Sequence, residues 1–171
     1  MTSDAPRATV RRLTVADAQT YRELRLRALR EHPLAFTSDT ESEQVRPLAW
    51  SQERLSSNDG AFWGAFHAGD LLGMVGLERA RRSKERHKGK VVGMYVAPEV
   101  AGRGAGAALM DALLRHAQAE GVTCLVLTVT EGNGVAQRVY ERAGFKAFGV
   151  EPRAIRLDGR YHGKIHMVLE L

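Results

Sequence analysis

Between residues 91 and 121 the chain changes character twice within a few positions, and this limits its fold more than any other feature. Val91 to Val96 is an apolar run that reads as a strand. Pro98 ends it, because proline has no N–H for a sheet ladder. Gly102, Gly104 and Gly106 follow at alternate positions, and a helix is expected over roughly Ala105 to Glu120, stopped by Gly121. Glycines let the main chain turn tightly and let a ligand approach it closely. The free N–H groups and the dipole at a helix start favour an anion. Arg103 adds a charged donor able to pair with phosphate. The turn is therefore expected to seat a diphosphate, although a glycine-rich connection without a ligand would show the same local pattern. A nucleoside-triphosphate loop is excluded, because Gly-Lys-Ser and Gly-Lys-Thr are absent. A dinucleotide fold is excluded too, because the glycine spacing is wrong and the next strand ends in Thr128-Val129-Thr130 rather than an acid.

The remaining segments surround this unit with a mixed α/β pattern. Ala8 to Leu13 reads as a strand, and Thr14 with Asp17 forms a helix-start signal. Ala18, Tyr21, Leu24, Ala28 and Leu29 recur at helical spacing up to about Glu31, where His32-Pro33 stops the helix. Thr37 to Gln44 is polar and acidic, and Arg46 to Leu55 reads as a second short helix with Pro47 in its first turn. Phe62 to His67 and Leu71 to Leu77 flank Ala68-Gly69-Asp70, a hairpin signal. Val122 to Thr130 is apolar almost throughout and reads as a strand covered on both faces. Val135 to Arg142 is a short helix closed by Gly144, and strands are expected near Lys146 to Val150, Ile155 to Leu157 and Tyr161 to Leu169. Only the later helices alternate strictly with strands, so the expectation is an α/β chain with a central mixed sheet flanked by helices. At 171 residues it is the size of one domain, 1–171.

A second segment matches the glycine turn in interest. Asn133, Ala136 and Tyr140 lie at i, i+3 and i+7 and share one helix face. A small residue between an amide and a phenol leaves a slot for an extended ligand, whereas an ordinary amphipathic helix would use Val135, Val139 and Phe145 as core contacts. Taken together, V-x-P-E-x-x-G-x-G-x-G and N-x-x-A-x-x-x-Y-x-x-x-G-F resemble the GNAT superfamily of acetyl-CoA-dependent N-acetyltransferases, over about Val91 to Phe145. The resemblance implies a splay between the strand Val91–Val96 and its neighbour Val122–Val129. Acetyl-CoA would lay its pantetheine arm there, along Met94, Tyr95 and Val96. It implies that Gly102, Arg103, Gly104, Ala105, Gly106 and Ala107 hold the pyrophosphate. Asn133 and Ala136 would flank the pantetheine, and Tyr140 would donate a proton to the departing thiolate. A phenol is protonated at neutral pH and suits that role. Arg142 would assist with the nucleotide phosphates. Where the family's loop usually begins with Gln or Arg, this chain has Ala101. The loop works mostly through backbone N–H groups, so cofactor binding is expected to survive, with Arg103 supplying the charge. The resemblance also implies a homodimer.

The acceptor must lose a proton before a primary amine can attack. Glu78, at the end of the strand before Val91, is the first candidate base, followed by His87 and Glu131; a solvated role is the ordinary alternative for each. The acceptor itself, a small molecule or a peptide or protein amine, has no readable motif. Arg79 to Lys90 holds seven Lys or Arg residues against one acid, yet lacks the aromatic interleaving of a nucleic-acid site, so a solvated hairpin loop and no nucleic-acid partner are expected. The net charge of 25 minus 20, +5, is a mild bias toward anionic ligands. Trp50, Trp63, Phe36 and Tyr21 are expected in the core or lining an acceptor pocket. Cys124 is expected to be a buried, inert thiol. No metal, no signal peptide and no membrane span are read, so a cytoplasmic enzyme is expected. The other readings of the same motifs are an acyl-CoA sensor without turnover and a transferase of a longer acyl group.

Overall fold

In the computed structural model, which describes residues 8–171, the Val91–Val96 run is the end of a longer strand. In chain order the strands are β1 (Thr9–Arg12), β2 (Gly60–His67), β3 (Asp70–Arg79), β4 (Lys88–Val96), β5 (Cys124–Thr130), β6 (Lys146–Leu157) and β7 (Arg160–Glu170). The helices are α1 (Ala18–Glu31), α2 (Thr40–Gln44), α3 (Leu48–Ser56), α4 (Ala105–Ala119) and α5 (Gly134–Arg142). The strands form one seven-stranded sheet in the order β1-β2-β3-β4-β5-β7-β6. Every neighbouring pair is antiparallel except β4 and β5.

Helices cover both faces. On one face α4 buries Leu109, Met110, Leu113 and Ala117 against β2, β3 and β5, together with Tyr140 and Phe145 from the α5 segment. Each fully buried Leu or Met there contributes about 1.5–3 kcal/mol relative to an exposed one. On the other face α1 and α3 pack Tyr21, Leu24, Ala28 and Leu55 over Phe62, Met74 and Tyr95. The Thr14–Asp17 signal is realised: the Thr14 N–H donates to Asp17 Oδ2 at 2.8 Å. Arg11 also binds that carboxylate, and its hydrogen bond is the main reason Asp17 is pulled down to about 2. The β2–β3 hairpin turns on Ala68 and Gly69, both at positive φ, as a two-residue turn requires.

Some expectations need adjustment. Thr40–Gln44 is a helix, started by Asp39, whose Oδ1 accepts from the Ser42 N–H at 2.8 Å. The tail strands at Lys146–Val150 and Ile155–Leu157 are one strand; its register with β7 breaks between Glu151 and Ile155, around Pro152 and the positive-φ Arg153. β5 is buried fully on one face only: Leu125, Leu127 and Val129 are in the core, while Val126 and Thr128 are half-covered. Cys124 is likewise half-buried, because it opens β5 on that less covered face. The basic stretch is a loop largely tied to local acids, with Arg81 and Arg86 on Asp59, Arg79 near Glu120 and Lys88 on Glu85. Among the described residues no helix is long and apolar enough to cross a membrane, and no group of His, Cys, Asp or Glu side chains could hold a metal ion.

Candidate active site

The site is built from an opening in the sheet. β4 and β5 pair through Lys88↔Cys124, Gly89↔Leu125 and Lys90↔Val126, and there the ladder ends. Beyond it β4 stays paired to β3 as far as Val96, and β5 stays paired to β7 as far as Thr130. The two halves of the sheet therefore diverge, and the facing edges of Val91–Val96 and Leu127–Thr130 carry unpaired main-chain groups, ready to bind an extended ligand. A bulge in β4 bends the strand here. Gly76 pairs with Val92 and Met74 with Tyr95, so three steps on β4 answer two on β3, and Gly93 takes φ +61°. A glycine inside a strand is the sequence signal for such a bulge.

At the open end, β4 runs through a 3-10 turn at Pro98–Val100 into the glycine loop and α4. Gly102 and Gly104 have φ +72° and +78°, and a Cβ built on either would meet nothing within 4 Å. No side chain caps α4. Its first-turn N–H groups, at Ala105, Gly106 and Ala107, are therefore open to a ligand. Arg103 is exposed beside them. Uncapped donors, left-handed glycines and empty space above them fit a pyrophosphate.

α5 supplies the third part. Asn133 caps it, its Oδ1 accepting from the Ala136 N–H at 3.2 Å, which leaves the side-chain NH2 free to donate. Ala136 packs toward the core and Tyr140 is 8% exposed, whereas Val135 is 69% exposed. The helix thus turns the Asn133–Ala136–Tyr140 face inward and not the Val135 face. Tyr140 rests edge-on against Phe145, with centroids 6.1 Å apart, and among the described residues its hydroxyl has no hydrogen-bond partner. Burial pushes the phenol up to about 12. Met94 and Val96 are half-buried beside the opening. The Tyr95 side chain instead points to the α1 face, where its hydroxyl donates to Glu31 Oε2 at 2.5 Å, leaving its main chain as the part available to the opening.

The candidate bases separate in space. Glu78 pairs with Lys90, level with the closed end of the opening, and its carboxylate is 2.8 Å from Arg54. Lys90 is four residues from Met94, or about 13 Å of strand. His87 is exposed at that same end, its carbonyl accepting from the Thr123 and Cys124 N–H groups. Glu131 follows β5 at the open end, with its carboxylate over Gly163. Sequence reasoning missed two groups on the α1 side of the opening. His166 pairs across from Thr128 on β7, and its Nε2 is 3.1 Å from Glu151. Arg25 lies within the apolar stripe of α1 and is 6% exposed. The alternation Lys164, His166 along β7 was the available signal for the first; an arginine between Leu24 and Leu26 gave little signal for the second. The connection from α1 to α2 bridges this side: the Thr130 hydroxyl donates to the Leu34 carbonyl and the Lys164 ammonium to Thr37 Oγ1.

Comparison with known proteins agrees with this geometry. The sequence profile of the Acetyltransferase (GNAT) family matches residues 23–145. The chain is 32% identical over 159 residues to the N-alpha-acetyltransferase RimI of Mycobacterium tuberculosis, covering 93% of this chain and 91% of that protein. It is 27% identical over 138 residues to an L-methionine sulfoximine/L-methionine sulfone acetyltransferase of Pseudomonas aeruginosa, covering 80% of each. Its fold is similar to a GNAT superfamily phosphinothricin acetyltransferase from Sinorhizobium meliloti solved with acetyl-CoA, with TM-score 0.83 and 20% identity over 97% of this chain and 89% of that one.

Proposed function

This chain belongs to the acetyltransferase (GNAT) family and is an acetyl-CoA-dependent N-acetyltransferase, and on that premise we propose that it acetylates a primary amine by direct attack in a ternary complex. The observation that carries the reading is the opening between β4 and β5, flanked by an uncapped glycine loop at one end and by Tyr140, a buried residue whose hydroxyl has no hydrogen-bond partner among the described residues. Acetyl-CoA supplies the activated acyl thioester. The chain's own residues supply the rest. Gly102 to Ala107 hold the diphosphate through backbone N–H groups, with Arg103 beside them. The main chain of Met94, Tyr95 and Val96, with the Asn133 amide and the small Ala136, holds the pantetheine arm. The amine nitrogen forms the new C–N bond as the C–S bond breaks, and Tyr140 gives its proton to the departing sulfur.

The amine's own proton leaves on the α1 side. Glu78 and His166 both face that side, because cross-strand partners share a face and Glu78 pairs with Lys90 as His166 does with Thr128. Glu78→Gln and His166→Gln, compared over pH 6–9, assign the role. The variant that lacks the base loses about 10²–10⁴ in kcat and with it the acid limb of the profile. A few-fold loss with an unchanged profile marks the other residue as structural.

Acetyl-CoA is expected to raise the melting temperature, while ADP and NAD serve as controls. At 100 times its dissociation constant, a ligand of the folded state adds about 2.7 kcal/mol. No shift at millimolar acetyl-CoA would sink the cofactor reading, and a shift with octanoyl-CoA alone would move it to a longer acyl group. A cytoplasmic location belongs to the same reading. So does a homodimer through β6, an edge strand on which Phe148 is 62% and Val150 55% exposed. Light scattering checks the dimer against the 18.8 kDa monomer.

A further inference from the structure

The glycine loop is anchored at both ends and little in between. Ala97 and Val100 are buried before it, and the Ala97 N–H donates to the Leu72 carbonyl at 2.7 Å. Ala105 and Leu109 are buried after it. Residues 101–104 are all exposed. The main-chain bonds that close this stretch are long, from the Ala101 N–H to the Pro98 carbonyl at 3.3 Å and from the Arg103 N–H to the Val100 carbonyl at 3.4 Å. Gly102 and Gly104, both at positive φ, add backbone freedom. A site that binds through main-chain N–H groups needs them aimed beforehand, so a further tie is needed to fix the loop.

Among the described residues, Glu99 is the only residue of 97–106 whose side chain makes hydrogen bonds. Arg27 of α1 holds it as a fork, with Nη1 donating to Oε1 at 2.8 Å and Nη2 to Oε2 at 3.0 Å. The third nitrogen, Nε, donates to Glu31 Oε1 at 2.7 Å, one helical turn on. Glu31 Oε2 in turn accepts from the Tyr95 hydroxyl at 2.5 Å. The last turn of α1 thus ties both walls of the cofactor site together, the strand β4 through Tyr95 and the loop through Glu99. Arg27 is 31% and Glu99 50% exposed. An isolated ion pair in that setting contributes little; a bidentate pair inside a network is the exception. Hydrogen bonds from Arg27 hold the Glu99 carboxyl below its ordinary value, and those from Tyr95 and Arg27 do the same for Glu31, so the network stays charged at neutral pH. Arg27 also neutralises the one acid in residues 97–106, on a loop that has to receive an anion.

We propose that Arg27 is a positioning residue for the cofactor: by clamping Glu99 it holds the glycine loop in the conformation that presents its N–H groups to the diphosphate of acetyl-CoA. The proposal rests on the transferase reading above and deepens it. A loop that is competent only part of the time binds with its affinity reduced by that fraction. Releasing the clamp is therefore read as weaker binding, confined to ligands that carry the diphosphate.

The test compares CoA, by calorimetry, with pantetheine, which has the same arm but no diphosphate, by NMR titration. Arg27→Gln is expected to weaken CoA about 5- to 20-fold while pantetheine binds as it does to wild type. Arg27→Lys keeps the charge without the fork and recovers part of the loss. Arg27→Gln with Glu99→Gln binds CoA no worse than Arg27→Gln alone, because the two side chains act as one unit and the unpaired acid is gone. Each variant should melt within about 4 °C of wild type, since both partners are partly exposed. Equal weakening of CoA and pantetheine would mark a general disturbance of α1 and overturn the assignment, as would losses that add in the double variant. A wild type that binds no CoA would sink the transferase reading and the clamp with it. A wild type that binds CoA, matched by Arg27→Gln, would sink the clamp alone.

Discussion

Tyr140→Phe lowers kcat by about 10²–10⁴ and leaves acetyl-CoA affinity within about threefold of wild type. The departing thiolate needs a proton, and the Tyr140 ring packs against Phe145 while its hydroxyl has no hydrogen-bond partner among the described residues. The substitution keeps the ring, so the packing of α5 against the core is preserved. A hydroxyl that makes no hydrogen bond to the described residues contributes little to stability, so the melting temperature should change by about 1 °C at most. The pH dependence has a definite sign. Burial raises the phenol to about 12, so the protonated donor persists through neutral and moderately alkaline pH, and the wild-type rate should show no alkaline fall from this group below about pH 11. The accompanying stability is fully present below the unfolded value near 10 and is lost as pH rises through about 12. Single-turnover rates in the variant and wild type measure the effect; equal rates where chemistry is rate-limiting would remove the proton-donor role.

Gly104→Val is expected to weaken acetyl-CoA binding at least 100-fold. Gly104 sits at φ +78° as the residue that starts α4, and nothing within 4 Å would obstruct a side chain there. The damage is therefore conformational. A branched residue in the left-handed region costs about 1–2 kcal/mol or more, and the loop escapes that strain by rotating its N–H groups out of register. Losing two charge-assisted hydrogen bonds at about 1.5–3 kcal/mol each accounts for the loss in affinity. The fold should survive with a melting temperature lower by about 2–8 °C, the scale for 1–2 kcal/mol in a chain of this size. Gly104→Ala should fall between, since Ala is strained without being β-branched. Calorimetry with acetyl-CoA decides it: a folded Gly104→Val variant that binds like wild type would place the diphosphate elsewhere.

Much of this site can be read before any coordinates are seen, because its parts are local. A glycine that must sit at positive φ, a helix start with no capping side chain and three residues on one helix face are all properties of short stretches of chain. That is why Gly102 to Ala107 and Asn133 to Tyr140 can be named from spacing and family resemblance. The acceptor side is different. Thr128 and His166 are 38 positions apart and meet only through the β5–β7 register. Arg25 and Glu43 pair because α2, a five-residue helix in a polar stretch, folds back over α1.

The amino-acid sequence by itself therefore determined the family and, apart from α2, the order of strands and helices, and it named Gly102 to Ala107 and Tyr140 as the proposed phosphate loop and proton donor. Only the tertiary structure decided where the β4–β5 ladder stops, that Glu78 lies at its closed end while His166 pairs with Thr128 beyond it, and that Arg25 is buried with Nε unpartnered. The physical reason is range. Backbone dihedral preferences and helical periodicity act within a turn or two of chain, whereas a ladder's end and a buried ion pair depend on long-range packing, which spacing along the chain does not encode.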